Sequence, residues 1–212
     1  MTLAVERLSI ASGARFLFKD LSFSISPGEI LSVMGPSGSG KTSLLNAIAG
    51  HLDPSFTSTG SIKLEGVSLD TLPVHRRRIG LQFQDHLLFP HMTVGENLAF
   101  GLPRKNTRTA RRQKIQQALI SCGLENYEDY DPSRLSGGQK ARISLMRTLL
   151  SEPGLLLLDE PFSKLDTELR EQFRCFVFEQ IKSRNIPALM VTHDLQDLPD
   201  NSPVINLKHY FK

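Results

Sequence analysis

The chain is predicted to adopt an α/β fold built around a mostly parallel sheet. Two uniformly apolar runs, residues 155–158 and 188–191, are typical of strands that a parallel sheet buries on both faces. The first 34 residues instead alternate apolar and polar positions, which indicates antiparallel strands. No strand pattern appears over residues 86–150, where Arg-, Lys- and Gln-rich segments show helical spacing. We therefore expect an α/β core, an N-terminal antiparallel β subdomain and an inserted helical lobe.

The composition is that of a globular protein, with room for one large domain or two lobes that share a core. Of the 212 residues, 40% are hydrophobic and 22% charged, and no apolar run is long enough to cross a membrane. The N-terminus lacks the pattern of a secretory signal. Cys122 and Cys175 have no metal-binding spacing, so we expect reduced thiols packed in helices of a cytosolic protein.

The net charge of +3 and the isoelectric point of about 8.9 are too mild to favour nucleic acid as a partner. The basic residues nevertheless cluster, at residues 76–78 and at residues 104–114. Two interpretations stay open for these clusters. They are either solvated helix faces or surfaces attracted to anionic lipid headgroups.

Local patterns define the remaining strands of the N-terminal half. A Pro-Gly turn at residues 27–28 separates the alternating strands from an apolar strand at residues 30–34. Residues 57–67 form a further strand region. Residues 79–84 look like a strand that ends on polar side chains.

The helices are predicted from apolar stripes. One amphipathic helix in the lobe has apolar side chains at i, i+3, i+4 and i+7, namely Ile115, Ala118, Leu119 and Cys122. A second stripe, between residues 169 and 181, joins the two buried strands. We expect one domain, in which residues 1–85 and 151–212 form the core and residues 86–150 form the helical lobe.

Residues 35–42, Gly-Pro-Ser-Gly-Ser-Gly-Lys-Thr, match the phosphate-binding loop G-x-x-x-x-G-K-[ST] between a strand and a helix. Glycines let backbone N–H groups approach a polyphosphate, and the helix directs its N-terminus at the same anion. Lys41 can reach the β- and γ-phosphates, and the Thr42 hydroxyl can bind a bridging Mg²⁺. The pattern predicts a P-loop NTPase core. Its predicted nucleotide-binding residues are Gly35, Pro36, Ser37, Gly38, Ser39, Gly40, Lys41, Thr42 and Ser43.

Polar side chains follow three predicted strands at their carboxyl ends, the edge at which parallel sheets bind ligands. Asp159 is predicted to hold Mg²⁺, directly or through water, and Glu160 could polarise the attacking water as a general base. His193 is predicted either to contact the γ-phosphate and orient the water or to be structural. The Gln84 amide could contact Mg²⁺ or the water. The acids alone could also simply cap the turn before Pro161.

A second glycine-rich segment, Leu-Ser-Gly-Gly-Gln at residues 135–139, precedes a helical stretch. Its hydroxyl and backbone donors would form a second anion-binding nest, made of Ser136, Gly137, Gly138 and Gln139. The chain has only one lysine-bearing loop for these two nests. A two-fold dimer could therefore place the nest of one subunit over the nucleotide of the other.

Together these motifs resemble the nucleotide-binding subunits of ATP-binding cassette (ABC) transporters. Residues 135–139 correspond to the signature sequence of that family, and the resemblance covers roughly residues 3–207. In chain order the other matches are residues 35–42 (Walker A), Gln84 (Q-loop), residues 155–159 (Walker B) with Glu160, residues 163–166 (D-loop) and His193 (switch histidine). Residues 88–97 look most like those of bacterial solute-importer ATPases.

The resemblance implies an ATPase that uses ATP and Mg²⁺. It implies that the subunit closes head-to-tail with a second copy, or with a similar subunit, around two ATP molecules. The nest of one subunit would then meet the γ-phosphate held by Lys41 of the other. Closure would move separate permease subunits, with a groove near residues 86–90 receiving a permease helix. The protein would act at the cytoplasmic face of the inner membrane, beside a solute-binding protein and without nucleic acid.

Three features depart from the family pattern. The family commonly stacks an aromatic residue on adenine, but the expected position, near Ser12, is not aromatic. Phe16 could substitute for it, although a place in the strand core is the simpler interpretation. The D-loop carries Lys164 where a small residue is usual, and this cation would alter dimer contacts or pair with an acid. The chain ends at Lys212, so we expect no C-terminal regulatory domain.

Two other function classes fit the motifs less well. A soluble ABC ATPase that acts on nucleic acid or ribosomes would need a long coiled coil or two cassettes. A small-molecule P-loop kinase would not need the signature, Glu160 and His193.

Overall fold

The computed structural model describes residues 2–210. Its strands are β1 Leu3–Ser12, β2 Arg15–Ile25, β3 Ile30–Met34, β4 Phe56–Leu64, β5 Val67–Ser68, β6 Ile79–Gln82, β7 Leu155–Asp159, β8 Ala188–Thr192 and β9 Val204–Asn206. Its α-helices are α1 Lys41–Ala49, α2 Val94–Gly101, α3 Arg108–Cys122, α4 Gly137–Leu149 and α5 Thr167–Arg184. Short 3-10 turns cover Val74–Arg76, Pro132–Arg134, Leu195–Asp197 and Leu207–Tyr210.

The core is a five-stranded sheet in the order β6-β7-β8-β3-β9. Strand β8 is parallel to both β7 and β3, so the chain leaves all three strands at the same edge of the sheet. The side chains of residues 155–158 and 188–191 are fully buried. The prediction that these apolar runs are buried strands is therefore confirmed.

The N-terminal residues form a separate antiparallel sheet in the order β2-β1-β4-β5. Strands β1 and β4 lose register between Glu6 and Ser9. Gly60 lies opposite this irregularity with φ 113, and a Cβ atom there would be 2.6 Å from the Arg7 carbonyl oxygen. Only glycine fits such a close approach of two backbones. The alternating pattern thus predicted the antiparallel sheet correctly.

The contacts divide the chain into two compact units. Unit 1 comprises residues 1–81, 154–161 and 178–212, and it contains most of both sheets. Unit 2 comprises residues 82–153 and 162–177, and it contains α2, α3, α4 and the first part of α5. Helices occupy the predicted lobe, and no strand occurs in the chain from β6 to β7.

The apolar stripe of α3 is buried as predicted. Burial raises the pKa of the Cys122 thiol on this stripe to about 12. Cys175 on α5 is exposed, so the prediction that both thiols are packed is wrong for Cys175. Within residues 2–210, no helix is both long enough and apolar enough to span a bilayer.

The basic cluster at residues 76–78 contains one structural arginine. Arg77 donates from Nη1 to the carbonyls of Ala47 and Ile48 at the end of α1, at 3.2 and 2.8 Å. Its Nε donates to the Leu72 carbonyl at 3.1 Å, and burial lowers its pKa. Arg76, beside it, is exposed. Neither interpretation of the cluster, as a solvated face or as a lipid surface, accounts for Arg77.

Part of the second basic cluster also has local partners. Lys105 and Lys114 both form ion pairs with Glu152. Arg111 donates from Nη2 to the Ala99 carbonyl at 2.7 Å and thereby caps the last turn of α2. Arg111 thus connects α3 to the end of α2, and the two lysines pair with an acid that follows α4.

Candidate nucleotide site

The loop between β3 and α1 has the conformation that a phosphate-binding nest needs. Gly38 and Gly40 both lie in the left-handed region, with φ 77 and 87. Gly40 is the N-cap of α1, and no side chain caps this helix start. The first backbone N–H groups of α1 are consequently left to bind an anion, which the helix dipole also favours.

Lys41 is folded onto its own loop. Its Nζ donates to the carbonyls of Gly35 and Pro36 at 2.8 and 3.1 Å. The same atom lies 3.9 Å from Glu160 Oε1, and the residue is only 6% exposed. A buried ammonium needs such partners. It can exchange them for phosphate oxygens without leaving the loop.

Asp159 ends β7 beside Thr42. The Thr42 hydroxyl donates to Asp159 Oδ1 at 3.5 Å. Burial raises the pKa of Asp159, as does the neighbouring Glu160 charge, while the Thr42 hydrogen bond and Lys41 oppose them. Because a hydroxyl and a carboxylate are hard oxygen ligands, this pair fits Mg²⁺. Among residues 2–210, no group of three or more His, Cys, Asp or Glu side chains is arranged to hold a metal ion by itself. A cation here would therefore need phosphates and water to complete its coordination.

Glu160 and His193 lie together at the ends of β7 and β8. His193 Nδ1 is 3.1 Å from Glu160 Oε2. Glu160 has φ 44, which is costly for a residue with a side chain and is typical of functional sites. Its N–H donates to the Val191 carbonyl at 3.0 Å, and this bond fixes the unusual conformation. The arrangement gives a carboxylate that is held in place and can accept a proton.

Phe16 does not lie in the strand core, and that prediction is wrong. It is 38% exposed and lines a cavity of about 780 Å³ together with Lys19 and loop residues 36–39. The reason is a register irregularity between β1 and β2, which sets Phe16 opposite Ala11 but Phe18 opposite Ile10. The bulge breaks the alternation, so only Phe18 enters the core. Lys19 Nζ lies 4.1 Å from the Phe16 ring centre.

In unit 2, the signature segment forms the start of α4. Ser136 is the N-cap, and its Oγ accepts from the Gln139 N–H at 3.3 Å. The Gln139 side chain accepts in return from the Ser136 N–H at 2.9 Å. This is a capping box, which the spacing Ser-x-x-Gln could have revealed but which the sequence interpretation missed. The Ser136 hydroxyl keeps its own proton for donation to an anion.

Gln84, also in unit 2, does not end a strand as predicted. Strand β6 ends at Gln82, and Gln84 is exposed in the irregular segment that follows. The cause is Gln82, which is buried and hydrogen-bonded to the Ser144 hydroxyl at 3.2 Å.

The fold and the loop geometry define the class of protein, a P-loop nucleotide-binding protein. The family model described as "ABC transporter" matches residues 18–163, more than half of the chain. The chain is 43% identical to the ABC transporter ATP-binding protein YnjD of Escherichia coli K12, over 98% of this chain and 96% of that protein. The chain belongs to the ABC transporter family, as an ATP-binding ATPase subunit.

Import ATPases are among the similar proteins. The chain is 38% identical to the sulfate/thiosulfate import ATP-binding protein CysA of Salmonella typhi, over 93% of the chain and 55% of CysA. It is 40% identical to the spermidine/putrescine import ATP-binding protein PotA of Trichodesmium erythraeum, over 90% of the chain and 50% of PotA. It thus spans about half the length of these two relatives. The names favour a transport ATPase over a soluble ATPase that acts on nucleic acid.

Proposed function

We propose that this protein binds ATP and Mg²⁺ as a pair of identical or similar subunits and energises solute import through separate permease subunits. The observation that carries the proposal is that four groups of residues lie close together in unit 1. Loop residues before α1, Lys41, Asp159 and the Glu160–His193 pair all lie at one edge of the parallel sheet. Such an edge suits phosphoryl transfer, which depends on positioning and charge stabilisation.

The chemistry follows from these side chains. Lys41 and the N–H groups of α1 stabilise negative charge on the β- and γ-phosphates. Thr42 and Asp159 would hold Mg²⁺, which supplies charge neutralisation between the phosphates. Glu160 accepts a proton from the attacking water, and His193 orients the Glu160 carboxylate through the 3.1 Å contact. Gln84 contributes an amide to the metal or the water.

The cavity beside Phe16 is proposed to receive the base. Phe16 presents an exposed aromatic ring next to loop residues 36–39, so a purine could stack on it while its phosphates reach the loop. Ser12, the position expected from the family, is exposed and carries no ring. Phe16 would thus supply the stacking that Ser12 cannot.

We propose that a second subunit completes the site. The residues that would reach across are Ser136, Gly137, Gly138 and Gln139. The start of α4 satisfies some of its N–H groups by the capping box, and the Ser136 proton and the glycine N–H groups can donate to a γ-phosphate. A closed pair of subunits would place two such helix starts over two nucleotides.

Unit 2 presents an apolar surface that we assign to the permease. Its exposed members include Leu87 and Phe100, and the Phe100 ring packs edge-on against Phe89 at 4.7 Å. A contiguous patch of exposed apolar side chains marks an interaction site, and we propose that these residues form one. The protein would therefore be peripheral, bound to permease subunits at the cytoplasmic face of the inner membrane. Import, and a solute-binding protein in the same system, are proposed from the names of the relatives.

The experiment for this proposal is Glu160→Gln. The amide keeps the shape of the side chain but cannot accept the proton, so we expect ATP binding near the wild-type affinity and a loss of turnover of about 10²-fold or more. Steady-state phosphate release and equilibrium ATP binding measure the two effects. Glu152→Gln, at an acid paired with lysines of unit 2, is the control and should leave turnover unchanged. Wild-type turnover in Glu160→Gln would disprove the general-base role.

A further inference from the structure

Lys164 of the D-loop, residues 163–166, forms an ion pair with Asp85. The Lys164 Nζ donates to Asp85 Oδ1, and the two side chains are 48% and 64% exposed. Both residues belong to unit 2. The large cation at this D-loop position thus has a specific acidic partner.

The two partners lie next to residues of the proposed site. Asp85 directly follows Gln84 in the chain. Lys164 precedes Asp166 by two residues, and the Asp166 carboxylate accepts from the Leu169 N–H at 3.0 Å, which caps α5. The ion pair therefore connects the segment that carries Gln84 to the loop that begins α5.

Other contacts hold the same segment from a different element. The Ser144 hydroxyl donates to the His86 carbonyl at 2.6 Å, and Arg147 donates to the Leu87 carbonyl at 2.9 Å. Leu87 has φ 45, so its backbone conformation depends on such bonds. These bonds reach from α4, as does the bond between Ser144 and Gln82, and each of them lies two or more residues from Gln84. The Asp85 contact adds a connection one residue from Gln84, and it comes from the D-loop.

We propose that Lys164 is a positioning residue, which holds Gln84 in place through Asp85 and makes its position depend on the D-loop. The proposal rests on the proposed function, since Gln84 acts at the nucleotide only there. A pair this exposed is screened by salt and contributes little to stability. We therefore expect Lys164→Ala to lower kcat about two- to fivefold at low salt, with an unchanged KM for ATP and an unchanged melting temperature.

The test combines hydrogen exchange with kinetics on the full chain. Lys164→Ala should speed amide exchange over residues 83–89 and lower kcat, and the difference from wild type should shrink in high salt. The charge-reversed double variant Asp85→Lys/Lys164→Asp should recover at least half of both effects. Lys63→Ala is the matched control, because Lys63 forms an ion pair of similar exposure with Glu6 in the antiparallel sheet.

The possible outcomes distinguish a failure of this proposal from a failure of the proposed function. Unchanged exchange over residues 83–89 in Lys164→Ala would overturn the proposal, because the pair would then hold nothing. Faster exchange with wild-type kcat would overturn the positioning role. Failure of the charge-reversed variant to recover either effect would do the same. If wild-type protein has no ATPase activity, the proposed function itself fails, and the exchange data still report on the ion pair.

Discussion

Phe16 is a single residue whose environment differs from the one that the sequence pattern favoured. It lines the cavity beside the loop, and its ring is accessible from solvent. The sequence pattern placed it in the core, because Phe16 and Phe18 are two residues apart in an alternating strand. A bulge in the pairing of β1 with β2 puts the two rings in different environments. A bulge has no residue signature here, so the sequence could not predict it.

Replacement of Phe16 tests its assigned role. Loss of a stacking aromatic costs about 1–3 kcal/mol per base, so Phe16→Ala should weaken ATP binding about 5- to 150-fold. Inorganic tripolyphosphate has no base, so its affinity should not change. Titration calorimetry with both ligands makes the comparison, and Phe16→Tyr should keep near wild-type affinity. Equal losses for both ligands would mean that Phe16 supports the loop and does not stack on the base.

The side chains at the ends of β7 and β8 show which features of the proposed site the sequence predicts and which it does not. Strand ends predicted that Asp159, Glu160 and His193 would lie at one edge of the sheet, and the structure places all three there. Their roles stay predictions until tested. The left-handed conformation of Glu160 could not be predicted, because nothing in the residue itself requires it.

At the scale of elements, periodicity predicted the strands and helices well. The uniform apolar runs of β7 and β8 predict strands that are buried on both faces. The apolar stripe of α3 predicts a helix with one buried face, and both predictions agree with the structure. The end of β6 was predicted two residues too late. The sequence pattern extended this strand to Gln84, but β6 ends at Gln82, whose amide is buried against Ser144, a residue 62 positions away. A hydrogen bond between residues so far apart in the chain cannot be predicted from the local sequence.

Arg77 is the clearest case of an element held by one side chain. Its guanidinium donates to two carbonyls in the last turn of α1, those of Ala47 and Ile48. Since hydrogen bonds to charged groups contribute about 1.5–3 kcal/mol, Arg77→Ala should lower the free energy of unfolding by that amount. The adjacent Arg76 is exposed, and Arg76→Ala should change it by less than about 0.5 kcal/mol.

Urea denaturation of Arg77→Ala and Arg76→Ala measures the two changes in the free energy of unfolding. Equal, small effects would show that Arg77 does not hold α1, and that the basic cluster is a solvated face throughout.

At the scale of the whole molecule, the proposed phosphate-binding loop and the signature segment belong to different units of the chain. The loop, Lys41 and Glu160 belong to unit 1, and Ser136 with the start of α4 belongs to unit 2. Membership of the ABC transporter family and the apolar surface of unit 2 both fit a subunit of a larger assembly. The sequence motifs predicted this family from residues alone. The solute could not be predicted, because no residue of the proposed site would contact it.

The central claim is that the loop of one subunit and the signature of another form each site. The ATPase rate of a mixture of two inactive variants tests this claim most directly. Lys41→Ala removes the loop cation, and Ser136→Arg blocks the nest, so each variant alone should be inactive. A heterodimer of the two retains one complete site, and random mixing should restore up to about one quarter of the wild-type ATPase rate. A mixture no more active than either variant alone, beside active wild-type protein, would contradict the claim.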